Sequence, residues 1–291
     1  MDWGRLITAM VTPFDEELNV NFEKAVELAI KLVTEGSTAL VITGTTGEAP
    51  TLTEDEKINL YKMIKAYVDV PILAGVGTNS TRITIENAKK ASAAGVDGLL
   101  VVTPYYNKPD QDSLYEHFKS VAEAVDLPIM LYTVPGRTGC NILPDTVERL
   151  SKIKNIVALK EASGNVIQFS EIIRKVPKDF RVYSGDDSLL LPAMAVGAYG
   201  IVSVCSHVVG DEMKEMIDAF VAGDMAKATE IHLRLIKIFQ LLFMVANPIP
   251  VKAALNMTGI EVGGLRLPLT PARENVLKAV RDELVALGKI K

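Results

Sequence analysis

Short β-branched runs alternate along this chain with longer stretches whose apolar residues recur at helical spacing. The apolar runs cover residues 6–11, 39–43, 71–76, 98–103, 128–133, 156–160, 181–184 and 200–204, and each predicts a strand. Between the first two, Phe22, Ala25, Val26, Ala29, Ile30 and Val33 mark one face of a helix behind the candidate cap Asn21. Thr53-Glu54-Asp55-Glu56 has the form of a capping box and predicts a second helix start. Strand and helix in repeated alternation predict an α/β fold with a parallel sheet. Eight units of this size predict the closed form, a (β/α)8 TIM barrel. A doubly wound sheet competes, but it needs fewer strands, and no Gly-x-Gly-x-x-Gly follows the first strand.

The eighth unit ends near Gly223, and strand runs stop there. Residues 224–245, 250–257 and 271–287 predict helices, so a catalytic barrel of residues 1–223 is expected to carry a C-terminal helical appendage, 224–291. Asn247-Pro248-Ile249-Pro250 is expected to be extended, with its two prolines separating two of those helices.

Composition narrows the function. With 48% apolar and 23% charged residues among 291, and a net charge of −5, disorder is excluded. Two cysteines, Cys140 and Cys205, are too few for a disulfide scaffold and have no metal-binding spacing; both read as packing residues in a reducing compartment. Basic residues are dispersed and the pI is near 5.4, so no nucleic-acid partner is expected. The longest apolar stretch, 236–245, is interrupted by Lys237 and Gln240 and is too short to span a bilayer. The start of the chain lacks a leader pattern, and a cytoplasmic protein acting on small molecules is expected.

In a barrel, reacting groups sit at the C-terminal ends of strands and in the loops that follow. Ile156-Val157-Ala158-Leu159-Lys160-Glu161 ends an apolar strand on a lysine, and alternation puts Ile156, Ala158 and Lys160 on one face. If that face is interior, burial lowers the lysine pKa and yields an amine able to attack a carbonyl; otherwise the lysine caps its strand in solvent. Gly44-Thr45-Thr46-Gly47-Glu48 is a tight turn whose N–H groups could hold a carboxylate, or simply a strand-to-helix connection. Tyr132 could donate a proton and Arg137 could fork a carboxylate, or both could be structural. Thr103-Pro104-Tyr105-Tyr106 projects paired aromatics from a stiff loop, for function or for interface packing. The three histidines, His117, His207 and His232, are too dispersed for a metal site.

Taken together, these motifs resemble the pyruvate-dependent class I aldolase-like family that contains dihydrodipicolinate synthase and N-acetylneuraminate lyase. The likeness runs from Thr8-Ala9-Met10-Val11-Thr12-Pro13-Phe14 through GTTGE, AGVGTN, VTPYYNKP, YTVPGRTG, ALKEASG and YSGDD to NPIPVK. It implies that Lys160 forms a Schiff base with pyruvate and that no bound cofactor or metal is needed. It further implies a proton relay of Tyr132, Thr45 and Tyr106, the last supplied by the adjoining subunit of a homodimer or homotetramer. Thr45 and Thr46 N–H groups would bind the pyruvate carboxylate, and Gly185 and Val202 would line its pocket. Arg137 matches the residue that receives L-aspartate 4-semialdehyde. It favours the synthase branch, which makes 4-hydroxy-tetrahydrodipicolinate for diaminopimelate and lysine biosynthesis. The alternative is a pyruvate lyase acting on a sugar acid such as 2-keto-3-deoxygluconate or N-acetylneuraminate.

Lysine-inhibited relatives, by the same resemblance, use a tyrosine and an asparagine matching Tyr105 and Asn79, with two histidines and a glutamate. Glu54, Lys57 and Ile83 stand at those last three positions here, so weak or absent inhibition by L-lysine is expected.

Overall fold

A computed structural model of the chain describes residues 2–291. Eight parallel strands pair in sequence order and close on themselves: β1 (Leu6–Ala9), β2 (Ala39–Ile42), β3 (Ile72–Gly75), β4 (Gly98–Val102), β5 (Ile129–Thr133), β6 (Ile156–Glu161), β7 (Arg181–Ser184) and β8 (Gly200–Ser203). The predicted barrel is therefore the observed one. Strands β1 to β4 and β8 end one or two residues before their apolar runs do, because those residues already turn into the loops at the mouth, whereas β7 matches its run and β6 continues to Glu161.

Helices between the strands start where side chains can satisfy free N–H groups. Asn21 accepts from Lys24 N–H at 3.0 Å to open the helix Phe22–Thr34. Thr53 and Glu56 form the predicted reciprocal box at 2.8 and 3.2 Å before Glu54–Lys65.

Side chains from the strands sort into two apolar layers. Leu40, Ile72, Leu99, Leu131, Leu159 and Ile201 face the helices. Ile7, Val41, Leu73, Leu100, Met130 and Val202 fill the barrel interior, and Trp3 plugs its lower end. The plug is tight: a Cβ on Gly98 would lie 2.7 Å from Trp3 Cζ2.

Two local expectations are corrected. The β5–β6 register shifts next to Ile129, which pairs with Ile156 while Met130 pairs with Ala158. The extra residue, Val157, breaks the alternation, so Ile156 packs on the helix side and only Ala158 and Lys160 share the inner face. Pro250 is not in an extended segment. It lies in the first turn of the helix Ile249–Met257, where a missing N–H costs nothing. Turns and bends over residues 242–248, ending in a cis Asn247–Pro248 peptide, separate Met225–Leu241 from this helix. The third helix of the region, Glu274–Ala286, packs against both of these. The end of Met225–Leu241 reaches the barrel mouth, where Phe239 and Gln240 line a cavity.

Candidate active site

Register places Tyr132 of β5 beside Lys160 of β6, and alternation turns both inward. They meet at the C-terminal mouth, with Lys160 Nζ 4.5 Å from the centroid of the Tyr132 ring. Lys160 is only 5% exposed. Burial takes its ammonium out of water and lowers its pKa from 10.5 to about 8; Asp187 opposes that shift and Arg137 adds to it. Gly185 lets the end of β7 approach: a Cβ there would lie 2.8 Å from Lys160 Cε and 2.7 Å from Ala162 Cβ. Burial also pushes the Tyr132 phenol up to about 12, against the Arg137 charge and a hydrogen bond with Thr45, so it keeps its proton at neutral pH.

The turn after β2 presents donors to the same space. Within it, the N–H groups of Gly47 and Glu48 bond back to Gly44 and Thr45 carbonyls at 3.1 Å, and Ala49 N–H bonds Gly44 at 3.3 Å. Among the described residues, no acceptor meets the N–H groups of Thr45 and Thr46. Two adjacent free amides beside a cationic or neutral amine suit a carboxylate.

A cavity of about 360 Å³ is lined by Lys160, Tyr132, Thr45, Thr46, Arg137 and Gly185. Six residues singled out in the sequence thus surround one space. Val202 does not reach its wall; it lies fully buried inside the barrel, and Val204 lines the cavity instead. Tyr106 lies outside the cavity and is 88% exposed, at a left-handed φ of 75°. An exposed, strained aromatic on a loop tied to Thr138 by a 3.3 Å backbone bond has the character of a contact residue.

A second cavity of about 300 Å³ shares Thr45, Tyr132 and Arg137 and continues past Pro50, Lys57 and Asn87 to Tyr105. Burial lowers the Lys57 pKa, opposed by Glu54 and Glu56. Glu54 itself bonds to Lys90 at 2.5 Å.

Two functional candidates escaped the sequence reading. Asp187, on the turn after β7, is buried and accepts from the Ser203 hydroxyl and from the N–H groups of Val204 and Cys205 at 3.1 and 3.3 Å. Burial raises its carboxyl to about 6 despite those bonds, so near neutrality it is a buried anion whose charge favours the Lys160 ammonium. Asn247 reaches the cavity from beyond the barrel and donates to Thr46 Oγ1 at 2.9 Å. YSGDD and NPIPVK contained both residues, but no local pattern marked Asp187 as buried or Asn247 as reaching the cavity.

The histidines stay apart. His207 is buried beside the first strand's exit, where Nε2 accepts from Val11 N–H at 3.1 Å and Nδ1 meets the Val204 carbonyl at 2.7 Å. Burial lowers its pKa to about 4, so it is a neutral clamp. Among the described residues, no three histidine, cysteine or acidic side chains gather as metal ligands.

A parallel eightfold barrel with a desolvated lysine and two free backbone amides at its mouth has the form of a barrel enzyme. Comparison with known proteins makes this specific. The Dihydrodipicolinate synthetase family matches residues 2–287, and the chain belongs to that family. A curated relative from Heliobacterium modesticaldum, 4-hydroxy-tetrahydrodipicolinate synthase, is 53% identical over 99% of this chain and 97% of its own length. A dihydrodipicolinate synthase structure from Bacillus anthracis superposes with a TM-score of 0.96 at 52% identity, covering 98% of this chain and 99% of that one. One from Cyanidioschyzon merolae, solved with lysine bound, gives 0.97 at 46% identity over 99% of each chain.

The electrostatics of the mouth predict how Lys160 reacts with pH. Acylation of Lys160 by a small neutral reagent, followed by peptide mass spectrometry, should accelerate with pH and level off above about 8. An inflection near the ordinary 10.5 would show that the side chain is solvated. Asp187→Asn removes the opposing anion and should move the inflection lower.

Proposed function

We propose that this chain is a Schiff-base-forming carbon–carbon lyase/synthase that condenses pyruvate with L-aspartate 4-semialdehyde to give 4-hydroxy-tetrahydrodipicolinate. The observation that carries the reading is one cavity in which Lys160 faces the free amides of Thr45 and Thr46, with Arg137 at the rim. The names of relatives about half identical over nearly their full length support it.

Pyruvate docks with its carboxylate on the Thr45 and Thr46 N–H groups, which brings its ketone to Lys160. The neutral amine attacks the carbonyl carbon, and loss of water leaves an iminium. Its positive charge acidifies the methyl group, and a proton leaves to give an enamine. The enamine methylene carbon attacks the semialdehyde aldehyde, whose oxygen takes a proton from Tyr132. Thr45 passes the replacement proton along a chain completed by Tyr106 of a second subunit, since Tyr106 is exposed and does not line its own cavity. The semialdehyde amine then closes the ring and displaces the product, which frees Lys160. The imine is the electron sink, so no bound cofactor or metal is required. Arg137, exposed at the rim in the short helix Pro135–Thr138, pairs with the semialdehyde carboxylate.

The second cavity is a poor host for lysine. Lys57 brings a cation toward a ligand with two of its own, Ile83 offers no acceptor, and Glu54 is engaged by Lys90.

Reduction with borohydride in the presence of pyruvate should add mass to Lys160 and abolish activity, and Lys160→Ala should fold yet trap nothing. Arg137→Ala should raise the KM for the semialdehyde by about 10-fold or more, the loss of one charge-assisted pair, with little change for pyruvate. Equal effects on both substrates, or faster turnover of a sugar acid in an aldehyde screen, would favour the lyase reading.

Mixing inactive Tyr106→Phe and Lys160→Ala subunits should restore part of the activity through hybrid dimers. Hybrids that form, seen by native mass spectrometry, and stay inactive would return Tyr106 to its own subunit's site.

L-lysine should inhibit weakly if at all. Half-inhibition at submillimolar concentration, with lysine seated between Lys57 and Tyr105, would overturn that expectation.

A further inference from the structure

Two buried ties join the helices after residue 223 to the turn that carries Thr45 and Thr46, and the chemistry above uses neither. In the first, Lys252 of the helix Ile249–Met257 pairs with Glu48 at 2.8 Å, with the two side chains 2% and 1% exposed. Lys252 Nζ also donates to the Gly264 carbonyl at 2.6 Å, and the other Glu48 oxygen accepts from Arg266 N–H at 3.0 Å. In the second, Asn247 Nδ2 donates to Thr46 Oγ1 at 2.9 Å.

Glu48 closes the turn at a φ of 54°, a left-handed conformation that a glutamate holds only when its surroundings impose it. Its own N–H bonds the Thr45 carbonyl at 3.1 Å, so the position of Glu48 is transmitted directly to the peptide that bears the free Thr46 N–H, and through it to the adjoining Thr45. A buried ion pair is a poor way to stabilise a core, because desolvation offsets the attraction and apolar side chains of the same volume do as well. What a pair with both oxygens engaged does supply is a fixed place and orientation.

We infer that Glu48, Lys252 and Asn247 are positioning residues that hold the Thr45 and Thr46 amides in register with Lys160 for the pyruvate carboxylate. This inference rests on reading that turn as the pyruvate cradle. It makes the C-terminal helices part of the binding machinery for the first substrate, although none of their charged groups faces the cavity.

The test is a Glu48→Gln/Lys252→Met double variant, which keeps the volume and leaves no unpaired charge, compared with the wild-type enzyme. The pyruvate concentration that half-saturates borohydride trapping at Lys160 should rise about tenfold, as expected when a binding group shifts by a fraction of an ångström. The KM for the second substrate should change less than about twofold, because Arg137 lies on a different element. A purely structural pair would lower thermal stability without this split between substrates. A folded double variant with unchanged half-saturation overturns the inference. Should that variant fail to fold, Asn247→Ala is measured in the same way: a rise supports the inference and an unchanged value overturns it. Wild-type enzyme that traps no pyruvate overturns the reading of the cradle and this inference with it. Wild-type enzyme that traps normally beside an unaltered variant overturns the inference alone.

Discussion

Enclosing a lysine in the mouth of a closed barrel is the constraint on which the rest of this structure depends. A pKa lowered from 10.5 to about 8 corresponds to about 3 kcal/mol of penalty on the charged form. Burial therefore outweighs both the Asp187 anion and the Tyr132 ring face, each of which favours the ammonium. The balance is useful in both directions. Without burial the amine would be almost wholly protonated near neutrality, and without Asp187 the site would lose a buried anion that offsets positive charge on the Lys160 nitrogen.

Closure of the barrel also sets what surrounds the lysine. Parallel strands in register bring Tyr132 beside Lys160, and glycine at position 185 leaves the room that a methyl group would take from its methylenes. The loops then add one function each. The turn after β2 presents amides, the short helix after β5 presents a guanidinium, and the turn after β7 carries the buried carboxylate. In the proposed reaction these separate the two substrates, with the keto acid held deep by backbone donors and the aldehyde selected at the rim by an exposed guanidinium.

Distant parts of the chain complete that arrangement. Tyr106 stands exposed in a conformation that costs roughly 1–3 kcal/mol for a non-glycine residue, which fits a side chain held for a neighbouring subunit. Glu48 and Lys252 are 204 positions apart and form the most enclosed ion pair in the chain's described residues. The helices beyond the barrel thus brace a turn at its mouth, which gives a physical role to a region with no strand of its own.

The sequence by itself determined the barrel, because each strand and helix is a local periodicity: apolar runs of the right length, caps such as Asn21 and Thr53, and one unit after another. It also placed Lys160, Tyr132, Arg137 and the Thr45–Thr46 turn at strand ends, where a barrel puts its chemistry. Only the tertiary structure decided that Val157 breaks the alternation of β6, that Val204 rather than Val202 reaches the cavity, that Asn247 lines it, and that Asp187 is buried behind it. Only it showed that Glu48 is held from the far end of the chain. The division has one cause. Alternation and capping act between residues a few positions apart and can be read along the chain, whereas burial, desolvation and ion pairing depend on which surfaces meet after folding.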